Sequence, residues 1–340
     1  MSDYPALLRV LVGGGDLNAE QMAYAIGAMM DGDWTPVQAG GFLAALATKG
    51  ETPAELVGAA EAMRARSLHV EHDLPLVVDT CGTGGDGAHT INVSTLVGFI
   101  VAACGAPVAK HGNRAASSRC GSADVLEAAG VTIEASPEAS RSRLERDGFA
   151  FLYAQQYHPT LRAVAPVRRD LRIRTIFNLL GPLANPARAT HQIVGVADPA
   201  HLELIGGALV GLGSAAGAVV HAKNGIDEIA GDTPSEIFQF DPSGARRWLL
   251  DPSDFGVRVP LDALAGGDPQ SNAASMRSLL EGERSPRADV VALNAALALI
   301  VARRAGSMRE GLSLARTSLS DGSALDVFES LRRPAELEFA

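Results

Sequence analysis

The sequence predicts an α/β protein: a small all-helical unit joined to a larger α/β unit with a central, mostly parallel sheet flanked by helices. Three observations predict it. The first seventy residues carry repeated helix-start signals and no β-branched cluster. From Leu76 onward, short apolar runs alternate with helical stretches, the pattern of a parallel sheet with crossover helices. The length, 340 residues, corresponds to about two domains at ~150 residues each.

The helical unit comes first. Thr35-Pro36-Val37-Gln38 is a capping box with proline at the first helical position, and Thr52-Pro53-Ala54-Glu55 repeats it. Asn18-Ala19-Glu20-Gln21 is a weaker version. Each opens a run rich in alanine, leucine and methionine, strong helix formers. Gly50 stands where a C-terminal cap belongs.

The α/β unit follows. Leu76-Val77-Val78 reads as a buried strand closed by Asp79, and Asn92 to Ala103 as a buried helix. Pro107-Val108-Ala109, Val131-Thr132-Ile133 and Phe149-Ala150-Phe151-Leu152 read as strands, with helices over Asp124 to Ala129 and Ser136 to Arg146 between them. Further strands are expected at Gln192 to Val196, Gly217 to Val220 and Ile237 to Phe240, and helix again from Val290. Pro159 to Pro186 breaks this rhythm with helical, arginine-rich sequence. It is expected to return to the first unit. The expected domains are therefore 1–72 plus 159–186, and 73–158 plus 187–340, with a cleft between them.

Composition narrows the function. Acidic residues exceed basic ones, 39 against 29, so the net charge is −10. That disfavours nucleic acid and anionic membrane as general partners. Three cysteines without ligand spacing fit a reducing compartment. No basic start of a signal peptide and no bilayer-length apolar run is seen, so a cytoplasmic protein is expected.

Four segments carry candidate chemistry. Cys81-Gly82-Thr83-Gly84-Gly85-Asp86-Gly87 joins a strand to a helix start and would present backbone N–H groups to a phosphate, or be simply a tight turn. Its spacing is neither a Walker A nor a dinucleotide fingerprint. Lys110-His111-Gly112-Asn113-Arg114-Ala115-Ala116-Ser117-Ser118 follows a strand, at the edge where α/β folds bind ligands. Asp227-Glu228 at a strand end would suit Mg²⁺, or be ordinary surface charge. Arg162, Arg168, Arg169, Arg172 and Arg174 form a solvated face, or include one clamp for a carboxylate.

Together these segments resemble the anthranilate phosphoribosyltransferase family. The resemblance rests on Asp79 to Asp86, Ile91-Asn92-Val93-Ser94-Thr95, Lys110 to Ala115 and Gly121 to Glu127. It continues through Tyr157-His158-Pro159, Val164 to Arg168, Arg174 to Leu183, Asp227-Glu228-Ile229 and Leu293-Asn294-Ala295-Ala296. It implies transfer of phosphoribose from phosphoribosyl pyrophosphate to the amine of anthranilate, in tryptophan biosynthesis. Gly82, Gly85, Asp86, Thr90, Asn92, Val93, Ser94 and Thr95 would hold the diphosphate side. Lys110, His111, Gly112, Asn113, Arg114, Ala115, Ala116, Ser117, Ser118 and Ser122 would hold the other phosphate and the ribose. Gly82, Asn113, Arg168 and His158 would bind anthranilate, with Arg168 nearest its carboxylate. Ser94, Asp227 and Glu228 would meet Mg²⁺, two ions in all. A homodimer through the helical unit is implied.

No nucleophile–base pair stands in these motifs, so an oxocarbenium-like displacement with inversion at ribose C1 is expected, driven by positioning and electrostatics. Two alternatives remain at this point: a pyrimidine nucleoside phosphorylase, and a nucleic-acid-binding relative of the same fold.

Overall fold

The computed structural model describes residues 3–115 and 118–333. Four helices come first: α1 (Tyr4–Val12), α2 (Ala19–Asp31), α3 (Pro36–Lys49) and α4 (Pro53–Ala65). The three capping boxes are all formed in both halves, at Asn18/Gln21, Thr35/Gln38 and Thr52/Glu55. Each such cap is worth about 1 kcal/mol over alanine. Glu55 does more than cap. It is fully buried and also accepts from the Leu17 N–H at 3.0 Å and from Lys49 Nζ at 2.9 Å. Thus one side chain ties the start of α4 to the loop before α2.

The α/β part runs β1 (Val78–Gly82), α5 (Val93–Ala103), β2 (Val108–Gly112), α6 (Ser122–Ala128), α7 (Pro137–Asp147), β3 (Phe149–Tyr153) and the single turn α8 (Ala154–Tyr157). Next come α9 (Leu161–Leu171), β4 (His191–Gly195), α10 (His201–Gly211), β5 (Ala216–Ala222), β6 (Ser235–Asp241) and β7 (Gly244–Leu250). The last helices are α11 (Pro269–Leu280), α12 (Pro286–Val301), α13 (Met308–Ser320) and α14 (Ser323–Arg332). No helix among the described residues is long and apolar enough to cross a membrane.

The seven strands form one sheet in the order β3-β2-β1-β4-β5-β6-β7. The first five are parallel and the last two antiparallel. Chain order reverses between β1 and β4. This is a topological switch point, where the loops leaving two neighbouring strands diverge and open a crevice.

Several strand expectations need correction. β1 does not stop at Asp79; it continues to Gly82, paired in register with His191–Gly195. The polar Asp79 is tolerated inside because Asn185 Nδ2 donates to it at 2.8 Å and the His111 N–H at 3.2 Å. β2 likewise extends through Lys110 and His111, which lie in the ladder opposite Phe151 and Leu152 rather than in a loop. Val131-Thr132-Ile133 is no strand. Val131 and Ile133 are buried against the core, but the segment joins no ladder. β7 is not expected from the sequence, because Gly-Ala-Arg-Arg-Trp-Leu-Leu lies on an exposed sheet edge and lacks an alternating apolar pattern.

Helix α9 packs against α2 and α3, and its Val164 and Val167 join Leu43, Ile26 and Leu56 in one core. That core continues into Val194, Leu202 and Val219, on one face of the sheet. A second, larger core fills the other face around α5 and α12.

Candidate active site

The site is built at the switch point, at the C-terminal ends of β1 and β4. Gly82 and Gly195 end these strands as ladder partners. Both lie against Asp227. A Cβ on Gly82 would stand 2.4 Å from Asp227 Oδ2, and one on Gly195 would stand 1.6 Å from the Asp227 carbonyl oxygen. The two glycines therefore open a notch that only a chain without side chains there can leave. The loop that follows turns through Gly84, Gly85 and Gly87, all at positive φ, where glycine alone is unstrained. Its Gly84 N–H donates to Asp227 Oδ2 at 2.9 Å, and the Thr83 N–H donates to the Gly195 carbonyl at 2.9 Å. The buried Thr83 and Thr95 hydroxyls have no hydrogen-bond partner among the described residues.

Asp227 and Glu228 occupy the notch, half-buried, and the Thr90 hydroxyl reaches Glu228 at 3.4 Å. Burial, with the neighbouring charge of Asp86, pushes the Asp227 carboxyl up to about 6. Burial and the Asp227 charge push Glu228 well above its ordinary range. Carboxylates crowded in this way, without an ion-paired cation among the described residues, are suited to a divalent metal. No group of three or more His, Cys, Asp or Glu among the described residues forms a ready-made metal cage. The donor set fits Mg²⁺, which takes one or two carboxylates and completes its shell with water and phosphate oxygens.

Lys110 lies beneath this recess, almost fully buried. Its ammonium donates to the Thr80 carbonyl and to Ser94 Oγ, the latter at 3.2 Å. Burial lowers its pKa, against the pull of Asp79, Cys81 and Glu228. Lys110 thus ties β1, β2 and the start of α5 together under the loop. A cavity of about 30 Å³ lies beside it, lined by Thr80, Ser94, Asp227, Glu228 and Asn294 among others.

Other candidates are placed differently. Arg114 turns to Glu127 (2.8 Å) and Asp124 (3.1 Å) and donates to the Tyr153 hydroxyl at 3.1 Å. Its charge is already matched by two carboxylates. Asn113 holds the Arg114 N–H and Gln155, and Asn92 is spent on the Cys120 carbonyl and on Asn272. Ser118 is exposed, and a Cβ on Gly112 would collide with Ser122 Oγ. Ala116 and Ser117 lie outside the described residues. Val93 is buried at the start of α5, and Ala115 offers its N–H to Asp124 at 2.8 Å.

His111 and His158 lie together, ring centroids 5.1 Å apart. The Gly181 carbonyl can only accept, so His111 donates through Nδ1 at 2.9 Å, leaving Nε2 as an acceptor when the ring is neutral. That Nε2 and both His158 nitrogens make no hydrogen bond of ordinary geometry. Burial depresses both rings, to about 4 for His111 and about 3 for His158, so both are neutral at pH 7.

Arg168 projects from α9 with its guanidinium 5.4 Å from the centre of the Phe177 ring. It is half-buried and forms no ion pair among the described residues, and burial lowers its pKa. The segment beneath it is tied to the site twice. Arg174 reaches the Gly84 carbonyl at 3.4 Å, and the Gly181 carbonyl binds His111. Arg168 is therefore a partly desolvated cation without a counter-charge among the described residues, on a helix whose following segment is tied to the glycine loop and to His111.

Sequence reasoning misses Asn185, Gly195 and Asn294 as site-shaping residues. The first two stand outside every glycine-rich or charged motif. The third lies in a recognised motif whose role is not apparent without its partner loop.

Comparison with known proteins agrees with this geometry. The family model "Glycosyl transferase family, helical bundle domain" matches residues 5–67, and "Glycosyl transferase family, a/b domain" matches residues 74–325. The fold and site thus define the class, a glycosyl transferase with an N-terminal helical bundle. Within that class the chain belongs to the anthranilate phosphoribosyltransferase family. It is 47% identical over 328 residues to the anthranilate phosphoribosyltransferase of Symbiobacterium thermophilum, covering 96% of each chain. The crystal structure of the Thermus thermophilus anthranilate phosphoribosyltransferase superposes with a TM-score of 0.91 at 43% identity, over 96% of this chain and 98% of that one. The Saccharomyces cerevisiae enzyme in complex with PRPP and Mg has a TM-score of 0.88 at 26% identity, covering 96% of each chain. These matches do not favour the phosphorylase or nucleic-acid-binding alternatives.

Proposed function

We propose that the protein transfers the 5-phosphoribosyl group from phosphoribosyl pyrophosphate to the amine of anthranilate, releasing pyrophosphate. The observation that carries the reading is the half-buried carboxylate pair beside hydroxyl donors at the switch point. Arg168, without an ion pair among the described residues, stands on α9, whose following segment reaches the glycine loop through Arg174 and His111 through Gly181.

Breaking the bond at ribose C1 leaves negative charge on the diphosphate. Mg²⁺, held by Asp227 and Glu228 with Ser94 nearby, supplies Lewis-acid stabilisation of that charge. The glycine loop and the Thr83 and Thr95 hydroxyls add fixed donors, which cost no reorganisation when charge develops. Lys110 braces the floor beneath them through the Thr80 carbonyl and Ser94 Oγ. Arg168 takes the anthranilate carboxylate, orienting the amine toward C1. The neutral, buried His111 and His158 pack together beside the Gly181 segment and offer ring nitrogens as acceptors. No side chain is required as a nucleophile, and positioning supplies the rest of the acceleration.

Residues 1–72 and 159–186 form the helical unit in this reading, and the remainder binds phosphoribosyl pyrophosphate with two Mg²⁺ ions. Val12, Val37 and Tyr24 leave apolar surface exposed on α1 to α3, which supports a homodimer through these helices. A cytoplasmic location agrees with three free thiols. The test follows anthranilate fluorescence with phosphoribosyl pyrophosphate and Mg²⁺, omitting each in turn. Loss of anthranilate only when both are present is expected; loss without phosphoribosyl pyrophosphate, or in excess chelator, would overturn the assignment.

A further inference from the structure

Helix α12 is apolar from Val290 to Val301 except at Asn294. A carboxamide in such a helix is costly unless its groups are paired. Here all three contacts are well formed, and two of them reach across to Ile229. Asn294 Oδ1 accepts from the Ile229 N–H at 2.8 Å, and Nδ2 donates to the Ile229 carbonyl at 2.9 Å and to the Val290 carbonyl at 2.9 Å. Ile229 is fully buried and directly follows Glu228. Both polar groups of this residue are thus gripped by one side chain. On the other flank, the Asp227 carbonyl presses against Gly195, and the Ala222 N–H donates to the Ile226 carbonyl at 3.1 Å. Between these two anchors stand two like-charged carboxylates, with no cationic ion-pair partner among the described residues. Their repulsion and their lost hydration both favour swinging the loop out to solvent.

We propose that Asn294 is a positioning residue that clamps the Ile229 backbone and so holds Asp227 and Glu228 in the recess against their own repulsion. This rests on the reading of that pair as the metal carboxylates. Asn294 touches no reacting atom. Its effect passes through the backbone, and what it sets is the affinity for the cation rather than the chemical step.

The test measures Mn²⁺ binding by electron paramagnetic resonance on the whole protein with inorganic pyrophosphate, alongside steady-state kinetics. Asn294→Leu keeps the volume and removes the clamp. Asn294→Ser, whose hydroxyl can bond back to the Val290 carbonyl, removes it while leaving α12 satisfied and keeps the test open if the leucine variant does not fold. Either is expected to weaken Mn²⁺ binding by about tenfold or more, the range for residues that orient metal ligands, with the KM for anthranilate unchanged. Leu297→Ala serves as the control, since it loosens the same buried helix while leaving the hydrogen bonds to Ile229 in place. If Leu297→Ala loses as much affinity at an equal fall in Tm, Asn294 is merely structural and the inference is overturned. It is also overturned if Asp227→Asn with Glu228→Gln abolishes Mn²⁺ binding while the Asn294 variants bind normally. No Mn²⁺ binding by the unaltered protein would overturn the metal reading and this inference with it.

Discussion

Replacing Arg168 by alanine tests the helical side of the crevice. Its guanidinium is half-buried, stacked on Phe177 and without a carboxylate partner among the described residues. A charge-assisted hydrogen bond to a carboxylate contributes about 1.5–3 kcal/mol. At about 1.4 kcal/mol per factor of ten, Arg168→Ala should raise the KM for anthranilate by about 10- to 150-fold. The KM for phosphoribosyl pyrophosphate should change little, because the glycine loop and Lys110 are untouched. Arg168→Lys should recover part of the loss, keeping the charge but not the planar fork. Stability should move the other way. Losing the contact with Phe177 costs about 0.5–2 kcal/mol at a half-buried site, and removing a desolvated, unpaired cation offsets it. The Tm should therefore stay level or rise slightly. The assay is a two-substrate kinetic matrix with thermal melts of each variant. Equal increases in both KM values, or a large fall in Tm, would refute the carboxylate-clamp role.

Further outcomes are expected elsewhere in the site. Asp227→Asn combined with Glu228→Gln should lower turnover strongly and weaken its Mg²⁺ dependence, while raising Tm through relief of like-charge crowding; unchanged turnover would remove the pair from the metal site. Since Asp227 is pushed up to about 6, protons should compete with the cation as pH falls from 7 toward 5. The Mg²⁺ concentration for half-maximal activity should rise over that window. The sign is opposite for stability. A folded carboxyl above its unfolded value favours the protonated native state, so this group's contribution to metal-free stability is present at low pH and lost as pH rises through 6. A Mg²⁺ requirement flat between pH 5 and 7 would contradict the assignment. Gly195→Ala places a methyl 1.6 Å from the Asp227 carbonyl oxygen, so it should displace the acidic pair and cost about 1–3 kcal/mol by overpacking. Gly84→Ala meets open space, with only its positive φ to strain. It should cost about 1–2 kcal/mol in stability, from backbone strain alone. Denaturant titration should show the larger loss for Gly195→Ala, and equal losses would mean that the notch around Asp227 is not the constraint.

Much of the site is legible in the sequence because its chemistry is local. A run of glycines between a strand and a helix reports a backbone that must approach something, wherever it lies in the fold. The Asp227-Glu228 pair and the Lys110 segment are readable for a similar reason, since one follows a strand and the other runs through a strand's C-terminal end. Arg114 shows where such reading fails. In sequence it is a cation in a phosphate-like loop; in the structure Asp124 and Glu127, from the following helix, already neutralise it. Lys110 is the opposite case. It reads as a surface ligand and is instead a buried post beneath the recess.

The helix starts, the glycine loop, the two-part architecture and the family are all written in the chain, because caps, turns and motif spacing are interactions over a few residues. Strand limits are less secure. Asp79 and Lys110 look like strand ends, yet Asn185, Thr80 and Ser94 satisfy them inside the sheet. Which charges are spent and which are free, and which residue holds which loop, emerge only on folding. Gly195 opposite Asp227 and Asn294 across from Ile229 are brought together by strand order and helix packing. A side chain's charge state and freedom depend on the partners that folding places around it, and those partners lie tens of residues away along the chain.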